Sequence, residues 1–172
     1  RRPAAQQRTR LGARQRPELR QWELAAVAAH TAVHEERPGP QADRAAERGR
    51  PKLGLEECAQ LVGEMLRKRG FHVEIMPTGG APVVFAERKG RENKTMLIYN
   101  HYDVQPPEPL ELWESPPFEP ALRDGKLFGR GVSDDKGQLV ARLHAIDALL
   151  AIDGELPCTI KFVVEGEEET SS

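Results

Sequence analysis

The spacing of hydrophobic positions predicts two amphipathic helices in this chain. Over residues 55–69 apolar side chains recur at helical spacing, and Gly70 is placed to end that helix. A second stripe covers residues 138–152 and ends at Gly154. The apolar positions are Leu55, Cys58, Leu61, Val62, Met65 and Leu66 in the first helix, and Leu139, Leu143, Ile146 and Leu150 in the second.

Short apolar runs outside these helices predict β-strands. The runs are Phe71–Met76, Pro82–Ala86, Thr95–Asn100, Lys126–Arg130 and Thr159–Val164. Strands that alternate with helices are typical of an α/β layered domain, in which the chemistry gathers at the strand ends. We expect Thr95–Asn100 and Thr159–Val164 to be buried strands, and the proline-rich stretch 104–123 to be loop.

Composition divides the chain into two parts. Residues 1–52 hold 12 Lys/Arg and 6 Asp/Glu, a net charge of +6, whereas the whole chain of 172 residues carries −2, so residues 53–172 carry −8. The first part is expected to be a poorly ordered or mis-assigned extension, and the second an acidic globular domain. A tail that binds nucleic acid or an anionic surface is the alternative for residues 1–52, but no set of aromatic residues interleaves their arginines as a stacking surface requires.

Cysteine usage and hydropathy favour a cytoplasmic protein. Cys58 and Cys158 lie far apart and form no metal or disulfide pattern, so both are expected to be reduced, buried thiols. Neither an apolar run of about 18 residues nor the apolar core of a signal peptide is visible. We therefore expect no membrane partner, and no nucleic-acid partner either.

A histidine and an aspartate lie at the end of one predicted strand. His101 and Asp103 are two residues apart, so on an extended strand both side chains point to the same side. A carboxylate in that position can hold one ring nitrogen while the other nitrogen binds a metal. A solvated surface pair is the alternative for such a short motif.

Two acidic clusters downstream add the other groups of a hydrolytic metal site. Asp134 can bridge two divalent cations about 3.5–4 Å apart. Of the neighbours Glu168 and Glu169, one can bind metal while the other takes a proton from water as general base. A solvated charge run remains the alternative for residues 167–169, and a helix N-terminus is the alternative for Asp134 and Asp135.

Four motifs follow one another along the chain: Asn100–Pro106, Leu110–Phe118, Gly129–Gly137 and Glu165–Glu169. Together they resemble the M20 family of co-catalytic zinc peptidases, which contains carnosinase-like dipeptidases, acetylornithine deacetylases and succinyl-diaminopimelate desuccinylases. The resemblance extends over about residues 53–172, and its Trp113–Phe118 loop favours the dipeptidase branch.

The resemblance implies a zinc-exopeptidase-like catalytic domain, with a layered mixed sheet and flanking helices. It also implies two divalent metal ions, zinc first, with manganese or cobalt as alternatives. His101 would bind one metal, Asp103 would steady its ring, and Asp134 would bridge both metals. Glu168 would be the general base and Glu169 a ligand of the second metal.

The chain also departs from the family pattern. The family usually continues Glu-Glu-Ser-Gly-Ser where residues 168–172 read Glu-Glu-Thr-Ser-Ser, and its N-terminal helix is not recognisable in residues 1–52. The family also has a further aspartate and histidine ligand, and a lid or dimerisation domain, beyond the position of Ser172. We therefore expect an incomplete N-terminal part of the catalytic domain. The family often has a cis peptide at the position of Asp134–Asp135.

The function that follows is hydrolysis of the amide bond of a dipeptide or short peptide by a metal-activated water. We expect this for the parent enzyme, which could be a homodimer, and expect the 172-residue chain itself to bind metal weakly without turnover. One alternative is N-acyl-amino-acid deacylation by the same residues. Another is a truncated product without enzymatic activity.

Overall fold

A computed structural model describes residues 54–170 of the chain. Residues 1–53, 171 and 172 lie outside the described part, and with them the predicted extension 1–52. The helices are α1 (Leu55–Arg67) and α2 (Gly137–Asp153). The strands are β1 (His72–Met76), β2 (Val83–Arg88), β3 (Glu92–His101), β4 (Ala121–Arg123), β5 (Lys126–Phe128) and β6 (Cys158–Glu165).

Both predicted helices are present, and glycines end them as expected. After α1, Gly70 has a positive φ of 76°, and after α2, Gly154 has a φ of 77°. The Gly154 N–H donates to the carbonyl of Leu150 at 3.0 Å, which closes the last turn of α2. Neither helix of residues 54–170 is long and apolar enough to cross a membrane.

The larger sheet is mixed and has the order β1-β2-β6-β3. β2 pairs antiparallel with β1 and β6, whereas β3 and β6 run parallel, with His101 beside Glu165 in the register. The α/β class with a mixed sheet is therefore confirmed. Because β3 and β6 are parallel, their carboxyl ends meet at one edge of the sheet. β4 and β5 form a separate hairpin.

The core lies between this sheet and the two helices. Val62 and Leu66 of α1 and Leu143 of α2 are fully buried in one cluster with Val84 and Phe162 of the sheet. The ring of Phe71 meets that of Phe162 edge to face, with centroids 5.6 Å apart. Cys58 is buried in this cluster, whereas Cys158 is half-buried, and both are free thiols.

The prediction that residues 95–100 form a buried strand is wrong for most of its length. β3 is an edge strand with β6 as its neighbour in the described sheet, so Met96, Leu97 and Tyr99 are about half exposed or more. Ile98 is half-buried, and full burial begins at Asn100, where the strand reaches the site edge. An apolar run indicates a strand but does not show how much of it the rest of the chain covers.

Arg69 joins the end of α1 to the middle of α2. Its guanidinium, with a side chain that is 7% exposed, donates to both carboxylate oxygens of Asp147 at 2.9 and 2.8 Å. It also donates to the carbonyl of Met65 at 2.9 Å. A paired geometry of this kind holds a buried cation without leaving it unsatisfied.

Removing the Asp147 carboxylate should destabilise the fold. Asp147→Ala removes two charge-assisted hydrogen bonds from the Arg69 guanidinium, so we expect the free energy of unfolding to fall by about 2 kcal/mol. Urea denaturation measures this change. The control is Asp153→Ala, an exposed position on the same helix, which should change stability by less than about 0.5 kcal/mol. Equal effects of the two substitutions would show that the Arg69 pair contributes nothing specific.

Candidate metal centre

His101 lies where β3 ends and is held by a carboxylate. The imidazole is 5% exposed, and its Nδ1 lies 3.2 Å from Oδ1 of Asp103, which is 6% exposed. A carboxylate accepts only, so in the neutral ring the proton lies on Nδ1 and Nε2 is the nitrogen that can bind a metal. When the ring is protonated, Nε2 donates to Asp134 instead. That Nε2 lies 3.1 Å from Oδ1 of Asp134, on the side open to solvent.

The same Asp103 carboxylate also reaches the segment that follows β6. Its Oδ2 accepts a hydrogen bond from the backbone N–H of Glu169 at 2.8 Å. The carboxylate of Glu168, on the same short turn, lies 3.9 Å from Nε2 of His101. Asp103 therefore sets the position of the imidazole and of the Glu168–Glu169 turn together.

Asp134 is carried by an irregular turn, Val132–Lys136, that precedes α2. Asp134 has extended backbone angles (φ −131°, ψ 101°), and its side chain is 74% exposed. The Asp134–Asp135 peptide bond is cis, as the family resemblance implied. These angles turn the Asp134 carboxylate toward His101 while the next side chain, Asp135, points into the protein.

Asn100 was not predicted to belong to the site, and a helix N-terminus was the alternative given for Asp135. Asp135 is 6% exposed, and its Oδ2 accepts hydrogen bonds from Nδ2 of Asn100 at 2.5 Å and from the backbone N–H of His101 at 3.2 Å. An asparagine directly before the histidine was the available signal, because a polar residue at the covered end of a strand needs a partner.

Tyr102 was also missed, and it fastens the end of β3 to two other segments. Its N–H donates to the Glu165 carbonyl at 2.7 Å, and its hydroxyl donates to the Pro82 carbonyl at 2.5 Å. Its ring is 1% exposed and fills the space that a side chain at residue 166 would need, so Gly166 permits the approach. Nothing in the sequence signals this contact.

The site thus joins five side chains that the sequence analysis singled out. Three of them offer ligand atoms that all lie within 4.8 Å of one another. Asp103 lies behind the imidazole, and Glu168 lies beside it. The three are His101, Asp134 and Glu169.

Comparison with known proteins agrees with this geometry. The family model described as Peptidase family M20/M25/M40 matches residues 97–172, which include every residue of the site. Over these residues the chain belongs to peptidase family M20/M25/M40. The recognition made from the four motifs is confirmed.

Several M20 relatives resemble longer stretches of the chain. A succinyl-diaminopimelate desuccinylase of Burkholderia orbicola is 38% identical over 117 residues, which are 66% of this chain and 31% of that protein. The metallo-carboxypeptidase Sso-CP2 of Sulfolobus solfataricus superposes with a TM-score of 0.72 at 35% identity, over 88% of this chain and 31% of that one. Human carnosine dipeptidase 1 also superposes with a TM-score of 0.72, at 27% identity, over 89% of this chain and 32% of that one. The chain spans about a third of these proteins.

The residues of the candidate site fit a divalent cation. One imidazole nitrogen and two carboxylate oxygens are donors that zinc, manganese and cobalt accept. Two ligands of one tetrahedral zinc lie about 3.3 Å apart, and Nε2 of His101 and Oδ1 of Asp134 are 3.1 Å apart. Asp103 also supplies the carboxylate behind the imidazole that metal-binding histidines almost always have.

Opposing influences act on the pKa of His101 in this M20 site. Burial disfavours the charged ring and lowers the pKa, but the hydrogen bond to Asp134 and the nearby carboxylates, Asp103 first, raise it more. The pKa therefore lies above its usual value of 6.5. Protons and metal ions compete for the same nitrogen, so metal affinity is expected to fall as the pH falls through this pKa.

In the metal-free chain, the ring nitrogens of His101 should titrate with a midpoint above 6.5, and Asp103→Asn should lower that midpoint by removing a charge. Because the pKa of His101 is higher in the folded chain than in the unfolded chain, protonation of the ring stabilises the fold. This contribution is fully present below pH 6.5, the pKa in the unfolded chain, and is lost as the pH rises through the folded pKa. Nitrogen-15 NMR of the imidazole measures the midpoint. Asp153→Asn, at the far end of α2, should leave it unchanged, whereas a midpoint below 6.5 would contradict the prediction.

Proposed function

We propose that these residues form part of the active site of a metal-dependent hydrolase that cleaves the amide bond of a dipeptide or short peptide. The observation that carries the proposal is the cluster of His101, Asp134 and Glu169, whose ligand atoms lie within 4.8 Å in a chain of peptidase family M20. Glu168 beside this cluster adds a carboxylate that can transfer protons.

Two divalent cations are proposed for the site, with zinc as the metal and manganese or cobalt as alternatives. His101 and Asp134 would hold the first, and Asp134 and Glu169 the second. Such cations would supply Lewis-acid chemistry: they would polarise the amide carbonyl and lower the pKa of the attacking water. The positive charge of the cations would also stabilise the neighbouring carboxylates, because it would reduce the repulsion among them.

Glu168 is proposed as the general base. Its side chain is 46% exposed and its carboxylate is 3.9 Å from Nε2 of His101, so it can face both the solvent and the reacting atoms. It would take a proton from the attacking water as the water oxygen bonds to the amide carbon. It would then give the proton to the leaving nitrogen as the carbon–nitrogen bond breaks. Asp103 would keep the imidazole in one tautomer throughout.

A dipeptide substrate is favoured by the structural relatives, one of which is a carnosine dipeptidase and another a carboxypeptidase. The second candidate is an N-acyl-amino-acid deacylase, since a curated relative at 38% identity is a succinyl-diaminopimelate desuccinylase. For the 172-residue chain itself we propose metal binding without turnover. Among residues 54–170, His101, Asp134 and Glu169 would give each cation two ligands, with Asp134 shared, whereas catalytic zinc normally has three protein ligands.

Metal binding tests the proposal directly. The purified chain should bind zinc in a calorimetric titration at neutral pH, and His101→Ala should weaken binding by at least about tenfold because it removes a first-metal ligand. The matched control is His72→Ala, whose side chain is 76% exposed in β1 and which should leave the affinity unchanged. Binding that is equally strong in all three proteins would place the metal elsewhere and refute the site.

Catalysis requires the rest of a catalytic domain, which the carboxypeptidase Sso-CP2 can supply. In a chimera that carries residues 54–170 in place of its matching segment, Glu168→Gln should lower kcat by at least about 10²-fold with metal content unchanged. A panel of dipeptides and N-acyl amino acids then separates the two candidate substrates. Glu155→Gln, an exposed control, should leave kcat unchanged, and the isolated chain should hydrolyse neither class. Full activity of Glu168→Gln would remove Glu168 as the base.

A further inference from the structure

The neighbours of two proposed metal ligands are bonded to each other inside the protein. Asn100 precedes His101 at the end of β3 and is fully buried. Asp135 follows Asp134 in the turn before α2 and is 6% exposed. The Asn100 amide nitrogen donates to Oδ2 of Asp135 at 2.5 Å, a short bond between a buried amide and a buried carboxylate.

The Asp135 carboxylate that binds the Asn100 amide also contacts the backbone of His101. Oδ2 of Asp135 accepts the N–H of His101 at 3.2 Å as well as the Asn100 amide. The other oxygen, Oδ1 of Asp135, and Oδ1 of Asn100 are buried and have no hydrogen-bond partner among residues 54–170. The position of Asp135 therefore depends on two donors, both from the end of β3.

Different contacts set the distances from His101 to the other two proposed ligands. Asp103 joins His101 to the backbone of Glu169 and so sets the distance between those two residues. Asn100 and Asp135 join the strand that carries His101 to the turn that carries Asp134, and so set the distance between those two side chains. Nε2 of His101 and Oδ1 of Asp134 face each other at 3.1 Å.

We propose that Asn100 is a positioning residue for the first metal: through its bond to Asp135 it holds the turn of Asp134 at the distance from His101 that one cation requires. The inference rests on the proposed metal site and extends it to a residue that touches neither metal nor substrate. Without the amide, Asp135 keeps the single long bond to the His101 backbone, and the turn can move away from the strand.

The test compares cobalt binding by the full 172-residue chain and its variants, by visible absorption. Asn100→Ala removes the amide, and Asn100→Leu removes it while keeping a side chain of similar shape. Both should weaken cobalt binding by about tenfold, the lower end of the loss seen when residues behind metal ligands are replaced. Both should also change the ligand-field spectrum, because the geometry around the ion changes.

Two controls separate positioning from other effects. Asn93→Ala alters an exposed asparagine of the same strand and should leave affinity and spectrum unchanged. Leu66→Ala opens a cavity in the core and lowers the melting temperature, but at a temperature where the chain is folded it should bind cobalt like the unmodified protein. Melting curves of all variants without metal establish that temperature.

The outcomes distinguish failure of the proposed metal site from failure of the role proposed for Asn100. If the unmodified chain binds no cobalt, the proposed metal site fails and the inference fails with it. If the unmodified chain binds cobalt and both Asn100 variants bind it equally well, only the inference is overturned. Retained binding in Asn100→Leu alone shows that Asn100 merely fills space, and an equal loss in Leu66→Ala shows an effect of stability. Either result also overturns the inference.

Discussion

Parallel pairing of β3 with β6 is the constraint on which the candidate site depends. The register puts His101 beside Glu165, so the last residues of both strands leave the sheet at the same edge. Had the strands been antiparallel, the two carboxyl ends would lie at opposite edges, and the imidazole could not meet the glutamates. The segment between the strands returns through the turn of Asp134 and α2, which brings the third proposed ligand to that edge.

Buried side chains behind the proposed ligands fix their positions more closely than the strand pairing alone does. Asp103 uses one oxygen for the imidazole and the other for the backbone of Glu169. Asp135 accepts from Asn100 and from the backbone of His101. Both carboxylates are buried, and a buried carboxylate is costly unless donors surround it. Each of these carboxylates therefore depends on donors beneath the surface, and Oδ1 of Asp135 still has none among residues 54–170.

Much of the fold was predictable because its signals are local. The apolar stripes and their glycines located both helices, and the position of polar residues after strands located His101, Asp134 and Glu169. The exposure of β3 was not predictable, since burial depends on what covers a strand rather than on its own residues. Asn100 and Tyr102 escaped notice because their partners, Asp135 and Pro82, are distant in sequence.

The burial of Lys136 was likewise not predictable from the sequence around it. The residue is 2% exposed, and its Nζ has no hydrogen-bond partner among residues 54–170. Burial lowers the pKa of its amine, opposed by the charges of Cys58 and of acidic residues near the site. The chain folds this cation under the proposed metal ligands, although no neighbouring residue in the sequence predicts its burial.

The contact of Tyr102 with Gly166 also constrains how this sequence can change over evolution. The tyrosine ring occupies the volume where any side chain at residue 166 would begin. A larger residue at 166 is therefore accessible only after the ring at 102 has become smaller, so the order of substitutions matters. Lineages that keep the tyrosine are expected to keep the glycine, and the two positions should vary together even though they are 64 residues apart.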